Sequence, residues 1–236
     1  MNTANAKPSM GDVRSNSEVL SASIDLNDKR VVDIGCGDGT LVRLMVRHGA
    51  KAFGIDTNPA QIEKARAEKT LGGEIFHLGT AEKLPFDDAC MDVTIFFNSL
   101  HHIATEQMQT ALSEAWRVLK PGGILYVSEP LASGPHFDLM APVHDETEVR
   151  AQAKKALDKA PSMGFEKIDE IFHTHIVNLA DFDAFRERML RINPELNDEF
   201  GKLEDRLKSL FANLGVRGKK GFEFAQPMRV EIFKKT

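Results

Sequence analysis

A glycine-rich segment near the start of the chain combines a carboxylate with a turn that could bring the backbone close to a ligand. Gly35, Gly37 and Gly39 alternate directly after the β-branched run 31–34, and Asp33 lies two residues before the first glycine. Without Cβ atoms, such a turn lets backbone N–H groups approach a bound molecule. A dinucleotide site instead has the spacing Gly-x-Gly-x-x-Gly and binds a pyrophosphate. Because a carboxylate at Asp33 would repel a pyrophosphate, the segment favours a nucleoside that carries a positive charge.

A second carboxylate is expected beside the same ligand. Asp56 ends the second predicted strand about 20 residues after the first glycine, and a carboxylate there reaches the two hydroxyls of a bound ribose. A helix-capping role for Asp56 is less favoured because Asn58 already provides the cap. S-adenosylmethionine, a nucleoside with a positively charged sulfonium, fits both features. The glycine turn and Asp56 alone do not exclude a nicotinamide-dependent enzyme.

Strand-like and helix-like segments alternate from residue 17 to about residue 130, which predicts a parallel α/β sheet. Asn58 as N-cap and Pro59 at the first helical position mark a helix start after the second strand. The other predicted elements of this part are a leading helix over 17–24, strands over 30–34, 52–55, 74–78, 92–97 and 124–128, and a helix over 105–119 that ends at Lys120-Pro-Gly-Gly.

After Glu129 the pattern becomes less regular. Asp145 and Glu148 have the spacing of a capping box, and the final strand should begin after Pro227 because proline cannot donate to a ladder. The predicted elements are a loop over 131–144, a helix over 145–160, a strand over 165–179, helices over 181–192 and 194–214, and a strand over 228–233. Six phenylalanines here fit either a substrate surface or a core, namely Phe182, Phe185, Phe200, Phe211, Phe222 and Phe224.

The composition is that of a soluble globular protein, with 42% hydrophobic and 28% charged residues. We place one domain at 17–236 and expect the polar segment 1–16 to be a flexible arm rather than a signal peptide. No apolar run approaches the roughly 18 residues of a membrane span. The two cysteines, Cys36 and Cys90, favour a reduced, cytoplasmic compartment. A net charge of −5 gives no reason to expect nucleic acid.

Five sequence blocks together resemble a class I S-adenosylmethionine-dependent methyltransferase of the group that methylates small molecules. They are Asp33-x-Gly-x-Gly-x-Gly39, Gly54-Ile-Asp56, Gly79-Thr-Ala-Glu-x-Leu-Pro-Phe86, Asp92 with Ser99-Leu-His-His102, and Arg117-Val-Leu-Lys-Pro-Gly-Gly123. The resemblance covers about residues 30–130. It implies an α/β, Rossmann-like fold with a seven-stranded sheet in the order 3-2-1-4-5-7-6, the last strand antiparallel and helices on both faces.

The resemblance also implies a set of contacts with the cofactor. Asp33 and Asn98 would face its ammonium group, and Asp56 would hold its ribose. The methionine part would lie against Gly35, Cys36 and Gly37, and the adenine would be bordered by Thr57, Thr80, Ala81 and Glu82. Where the family commonly has Asp, this chain has Thr80, so its adenine amine would be met by Thr80, Glu82 or backbone.

His101 and Glu129 are the candidate catalytic residues. His101 follows the fourth strand, at the edge where the methyl group should lie, and could accept a proton near neutral pH. At most one of two adjacent histidines can face a substrate, so His102 is assigned a structural role. Glu129 ends the fifth strand, where it could orient an acceptor or anchor a loop. His173 and His175 have a spacing compatible with a metal pair, but no third ligand is evident, and no metal is expected.

These features predict an enzyme that moves a methyl group from S-adenosylmethionine to an O, N or C atom of a small molecule by in-line displacement. The helices over 181–214, inserted before the final strand, are expected to form a substrate cap. Three alternatives stay open: a cofactor-binding sensor or inactive partner without methyl transfer, a methyltransferase acting on protein or tRNA, and an NAD-dependent oxidoreductase. No membrane partner is expected, and the sequence does not predict an oligomeric state.

Overall fold

The computed structural model of the protein describes residues 11–236. Most of the predicted N-terminal arm therefore lies outside the described residues. In the part that is described, Arg14 N donates to Thr174 O and Thr174 N donates to Asp12 O, both at 3.0 Å. Among these residues, no helix has both the length and the apolar character that a membrane span requires.

Eight strands and eight α-helices make up the described part of the chain. The strands are β1 (Arg30–Ile34), β2 (Lys51–Asp56), β3 (Glu74–Leu78), β4 (Met91–Phe97), β5 (Leu119–Pro130), β6 (Phe165–Leu179), β7 (Val216–Gly218) and β8 (Gly221–Lys235). The helices are α1 (Asn16–Ser23), α2 (Thr40–Arg47), α3 (Pro59–Ala67), α4 (Met108–Val118), α5 (Pro135–Met140), α6 (Thr147–Leu157), α7 (Phe182–Ile192) and α8 (Asn197–Leu214).

The strand order confirms the predicted topology and adds one strand. The sheet has the order β3-β2-β1-β4-β5-β8-β6, and β7 pairs with β8. Strand β1 is parallel to both β2 and β4, and β4 is parallel to β5. The extra strand β7 forms because the segment at Arg217, Lys219 and Lys220 is a tight antiparallel hairpin, with the Arg217 guanidinium 4.8 Å from the centroid of the Phe222 ring.

Two predicted boundaries in the C-terminal half were wrong. Strand β8 includes Pro227, because this proline lacks only a donor and its carbonyl still accepts from Leu131 N and Gln226 Nε2, both at 2.9 Å. The predicted loop 131–144 contains helix α5, which begins at Pro135, a residue whose fixed backbone angle suits a first helical position.

The predicted capping box of α6 is also wrong. The helix begins at Thr147 with Glu146 as its N-cap residue, and no side chain caps it. The Glu146 carboxylate accepts hydrogen bonds from Arg150 one turn later instead. In contrast, α3 begins as predicted, with the Asn58 side chain accepting from Ala60 N at 3.0 Å and Pro59 next.

The described chain divides into two compact units with separate cores. One comprises residues 16–130, 146–171 and 229–236, and its core lies on both faces of the central strands. The other comprises residues 11–15, 131–145 and 172–228. Four of the six phenylalanines that fitted either a substrate surface or a core are part of the core of this unit: Phe185, Phe200, Phe211 and Phe224. The ring centroids are 5.6 Å apart for Phe185–Phe200 and 5.0 Å apart for Phe211–Phe224.

Two glycine substitutions test the packing of the strand that presents Asp56. A Cβ at Gly54 in β2 would lie 2.7 Å from Cys36 Sγ and 2.8 Å from the Phe76 ring, whereas a Cβ at Gly201 in α8 meets nothing within 4 Å. We expect Gly54→Ala to lower the free energy of unfolding by about 1–3 kcal/mol through overpacking. Gly201→Ala should raise it by up to about 1 kcal/mol because alanine is the better helix former.

Urea unfolding followed by circular dichroism measures both changes. If Gly54→Ala were as stable as the unsubstituted protein, the close packing of β2 against Cys36 would be wrong.

Candidate functional site

The ends of four parallel strands bring the predicted site residues to one edge of the sheet. Ile34, the last residue of β1, pairs with Ile55 of β2 and with Phe96 of β4, and Phe97 pairs with Ser128 of β5. The residues that follow these positions therefore emerge together, which is where parallel α/β sheets bind ligands. They are Gly35, Asp56, Asn98 and Glu129.

The glycine turn is fixed to the neighbouring strand by backbone hydrogen bonds. Gly35 N and Cys36 N both donate to Ile55 O, at 2.8 and 2.9 Å, and Gly37 N donates to Asp56 Oδ2 at 2.8 Å. Gly37 has φ +53°, and a Cβ built on it would meet nothing within 4 Å. The turn therefore has a backbone that suits glycine and open space on one side of Gly37.

Asp56 connects the glycine turn to the start of α3. While one carboxylate oxygen accepts from Gly37 N, the other accepts from Asn58 N at 2.8 Å. Each oxygen retains a second lone pair, so these bonds still leave acceptor capacity for a ribose hydroxyl. The sequence analysis identified this carboxylate as a ligand-binding candidate, but it did not predict that Asp56 also holds the glycine turn and the start of α3 together.

Asp33 is a buried carboxylate, and within residues 11–236 its Oδ1 has no hydrogen-bond partner. Burial, and after it the negative charge of Asp56, raises the pKa of Asp33 to about 8. An unpartnered buried polar atom is costly, and a cationic donor would remove that cost. A carboxylate in this environment would suit the positively charged ligand group that the sequence predicts here.

Asn98 has a second unpartnered acceptor at the same edge. Its Oδ1 is buried without a partner, while its backbone N donates to Ser128 O at 2.8 Å. Its φ of +54° lies in the left-handed region, which is uncommon for a residue other than glycine. Strained backbone of this kind clusters at functional sites. Asp33 and Asn98 together offer two acceptor atoms to a cation such as an ammonium group.

The remaining predicted cofactor residues differ in exposure. Cys36 is buried, and burial followed by the charges of Asp33 and Asp56 raises the pKa of its thiol, so it is not a nucleophile. Thr57 and Thr80 are exposed, Ala81 is buried and Glu82 is half-buried.

Arg117 fixes the segment that follows the predicted adenine residues. Its guanidinium donates to Leu84 O at 3.2 Å and to Phe86 O at 2.8 Å, and it also bonds to the carboxylates of Glu114 and Asp88. Glu114 in turn accepts from Leu84 N at 2.9 Å. Arg117 belongs to one of the five sequence blocks, but the sequence analysis assigned it no role. In the structure, Arg117 holds this loop in place through these hydrogen bonds.

The two candidate catalytic residues are hydrogen-bonded to each other. His101 lies in the short 3-10 turn Leu100–His102, and its Nδ1 contacts Glu129 Oε2. The other oxygen of Glu129 accepts from Leu100 N at 3.0 Å, and both side chains are buried. Glu129 therefore anchors the turn and orients the ring of His101.

Sequence reasoning missed two further charged residues beside His101. Glu146 Oε1 lies 3.8 Å from His101 Nε2, and Arg150 donates to Glu146 Oε2 from Nη2 at 2.6 Å and from Nε at 3.1 Å. Although burial acts to raise it, the pKa of Glu146 lies below its usual range, because His101 in its protonated form and the guanidinium of Arg150 both favour the charged carboxylate. The four-residue spacing of Glu146 and Arg150 on a helix was a visible signal of their pairing, but not of their place beside His101.

His101, His102 and Glu146 form a group that could hold a metal ion, since each offers a ligand atom and these atoms lie within 4.8 Å of one another. His102 is exposed, and its ring centroid is 4.0 Å from that of His101.

The histidine pair considered as metal ligands in the sequence analysis, His173 and His175, lies elsewhere in the chain. Burial, followed by the charges of His175 and Arg14, lowers the pKa of His173 to about 4. Within residues 11–236, no group of three potential ligands includes His173 or His175.

Comparisons with known proteins agree with this geometry. Residues 32–127 match the family model described as "Methyltransferase domain". A probable S-adenosylmethionine-dependent methyltransferase of Mycolicibacterium smegmatis is 32% identical over 157 residues, which are 65% of this chain and 58% of that protein. A phthiotriol/phenolphthiotriol dimycocerosates methyltransferase of Mycobacterium leprae is 36% identical over 107 residues, 44% of this chain and 39% of that protein. The chain thus spans about half the length of these relatives or less.

The fold has a close counterpart among solved structures. A crystal structure described as a putative methyltransferase from Bacillus halodurans superposes with a TM-score of 0.65 at 19% identity, covering 93% of this chain and 97% of that one. At this identity the likeness concerns the fold alone. Together with the strand order, it supports the predicted Rossmann-like methyltransferase fold, and residues 32–127 match a methyltransferase domain.

Proposed function

We propose that the protein transfers a methyl group from S-adenosylmethionine to an O, N or C atom of a small molecule. The observation that carries this proposal is the buried Asp33 carboxylate, whose Oδ1 has no hydrogen-bond partner within residues 11–236. A carboxylate in this place favours a cationic nucleoside and disfavours the pyrophosphate of NAD. The oxidoreductase alternative therefore has the weaker support.

Each predicted cofactor residue is assigned to the part of S-adenosylmethionine that its chemistry suits. Asp33 and Asn98 accept hydrogen bonds from the ammonium group, and Asp56 accepts from the ribose hydroxyls. The backbone of the glycine turn approaches the methionine part because Gly37 has no side chain to fill the adjacent space. The adenine is assigned to Thr57, Thr80, Ala81 and Glu82. When bound, S-adenosylmethionine supplies an electrophilic methyl group on a sulfonium.

The acceptor is activated mainly by position. An accepting atom held in line, about 3 Å from the methyl carbon in a site that excludes water, needs no covalent enzyme intermediate. If this atom carries a proton, His101 Nε2 takes it as general base. Glu129 supports this role because it receives the Nδ1–H of His101 and so leaves Nε2 as the free acceptor.

A small-molecule acceptor is supported by one relative's name, which refers to phthiotriol and phenolphthiotriol dimycocerosates, and by the acidic balance of the chain. The region 181–214 contains the helices α7 and α8, and we assign it to substrate binding. We also assign the protein to the cytoplasm, supported by its free thiols Cys36 and Cys90.

The decisive experiment measures binding and transfer separately. Isothermal titration with S-adenosylmethionine and with NAD should give binding only with the first. Incubation with methyl-labelled S-adenosylmethionine and a metabolite extract should then give a labelled small molecule. Binding without any labelled product would favour a sensor or inactive partner, and label in added protein or tRNA would redirect the proposal to those acceptors.

Cofactor affinity should depend on the ionisation of Asp33. Because its pKa is about 8 without ligand and a cation needs the ionised form, affinity for S-adenosylmethionine should rise by up to about tenfold per pH unit from pH 6 to pH 8. Calorimetry measures this slope. The variant Asp33→Asn is the reference, because any pH dependence that it retains comes from the ligand's own amino group. Equal slopes of affinity against pH for the two proteins would contradict the role of Asp33.

Asp56→Ala should weaken cofactor binding by about 1–3 kcal/mol, because a charged acceptor for the ribose is lost. The matched control is Asp38→Ala, which removes a carboxylate of the same turn that accepts hydrogen bonds from Thr40 N and Oγ1. Calorimetry with S-adenosylhomocysteine should find the control within about threefold of the unsubstituted protein. Equal losses in both variants would remove Asp56 from the ribose.

Gly37→Val should abolish cofactor binding while the protein stays folded, since the new side chain enters the open space. Gly72→Val is the matched control, because Gly72 also has a positive φ (+91°) and nothing within 4 Å of its Cβ position. Both variants should lose about 1–2 kcal/mol of stability to backbone strain. Only Gly37→Val should lose binding, and retained binding there would refute the close approach of backbone to ligand.

A further inference from the structure

Two arginines near the end of α7 lack the partners that the other arginine of this helix has. Arg186 donates to Asn197 Oδ1 at 3.1 Å and lies 4.0 Å from Glu204 Oε2. Within residues 11–236, neither Arg188 nor Arg191 forms a hydrogen bond or an ion pair. The sequence of residues 1–10 contains no Asp or Glu. Both guanidinium groups therefore keep their five N–H donors available for a ligand.

Arg188 adjoins the core of its unit. It comes three residues after Phe185 and directly before Met189, which both belong to that core. Although part of the Arg188 side chain is exposed, the surrounding protein desolvates its guanidinium, and this desolvation, followed by the charge of Arg191, lowers its pKa. Desolvating a charge without giving it a partner is costly. A purely solvated surface role therefore does not account for Arg188.

His175 of β6 borders the two arginines. It lies on the same face of the strand as Val177 and Leu179, which belong to the same core as Phe185 of α7. Its Nδ1 is buried and has no hydrogen-bond partner in the described part of the chain. Burial, and after it the charge of Arg188, lowers the pKa of His175. We call Arg188, Arg191 and His175 the α7–β6 cluster.

The helix dipole explains only part of this arrangement. Arg191 lies in the last turn of α7, where a cation interacts favourably with the negative end of the dipole. This effect needs one cation there, whereas Arg188 adds a second one three residues earlier. Like charges at this spacing repel each other and destabilise a helix. The pair of arginines is therefore better explained by a ligand than by the helix itself.

We propose that the α7–β6 cluster is a binding site for an oxyanion, namely the carboxylate or phosphate group of a small molecule. A guanidinium group donates two parallel hydrogen bonds to such a group, and arginines three residues apart on a helix are close enough to bind one anion together. The anion supplies the negative charge that the cluster lacks. This inference does not rest on the proposed methyl transfer, because anion binding is measured without it.

The bound anion also acts on His175. Without an anion, the charge of Arg188 disfavours the protonated imidazole. A negative charge at the arginines offsets this effect, so the pKa of His175 should rise when the anion binds. His173, two residues earlier on the same strand face, is the other titratable group beside it. The variant His175→Asn assigns the NMR signal of the ring and so separates the two histidines.

The test titrates the full chain with sodium phosphate and with sodium acetate, at an ionic strength kept constant with sodium chloride. We expect saturable binding of at least one oxyanion and a rise of about half a pH unit or more in the pKa of His175. Tighter binding of phosphate or of acetate identifies the group that the site prefers. No saturable binding of either anion would overturn the inference.

A second titration contains S-adenosylhomocysteine, which itself carries a carboxylate. We expect the affinity for the oxyanion to be the same with and without it. Competition between the two would assign the anion to the cofactor site and overturn the inference.

Variants connect binding to the arginines. Arg188→Gln and Arg191→Gln should each weaken the preferred anion about fivefold or more, because a charged donor is lost. Arg188→Lys should weaken it less, since it keeps the charge but loses the planar fork. Arg186→Gln is the matched control and should stay within about twofold, because Arg186 already has partners in α8. Affinities of Arg188→Gln and Arg191→Gln equal to that of the unsubstituted protein would refute the site.

Thermal unfolding gives a readout that a merely structural role of Arg188 would not produce. Without added anion, Arg188→Gln should be at least as stable as the unsubstituted protein, because it removes a desolvated charge that has no partner. The preferred anion should raise the Tm of the unsubstituted protein more than that of Arg188→Gln. Equal stabilisation of both proteins would overturn the inference and leave the proposed methyl transfer standing.

Discussion

The site depends on a buried carboxyl group, Asp33, for which the described residues 11–236 supply no hydrogen-bond partner at Oδ1. Asp33 is the last residue but one of the central strand β1, and burial, followed by the charge of Asp56, raises its pKa to about 8. Keeping such a group is expensive, and mutation to an apolar residue would stabilise the empty protein. The cost is understandable if a cationic ligand completes the site. The position of the glycine turn, the choice of ligand and the pH dependence of binding all follow from this one carboxylate.

The rest of this sheet edge presents and supports that charge. Ile55 O receives two N–H groups of the glycine turn and Asp56 receives a third, so the turn is fixed before any ligand arrives. A preformed turn loses less conformational entropy on binding. In the same way, Glu129 orients the ring of His101, and Arg150 fixes the carboxylate of Glu146. At both places, hydrogen bonds within the protein hold the polar groups in fixed directions.

The central sheet was predictable because short-range signals specify it. Strands β1, β3 and β6 have the predicted bounds, and Asn58 caps α3 as expected. The errors arose where long-range contacts decide. Pro227 stays within a strand because its carbonyl is bonded. The capping box predicted at Asp145 and Glu148 does not form, and Glu146, the N-cap residue, accepts from Arg150 one helical turn later instead. The place of Glu146 beside His101 could not be foreseen, since it depends on how a helix 45 residues later in the chain packs against the turn at His101.

The most direct measurement is the number of protons released when S-adenosylmethionine binds. It is obtained by calorimetry at pH 7 in buffers of different ionisation enthalpy. Since Asp33 is mostly protonated at this pH without ligand and ionised beside a cation, the unsubstituted protein should release nearly one proton more than Asp33→Asn. Equal proton release by the two proteins would contradict the claim that a buried carboxylate selects the cofactor by its positive charge.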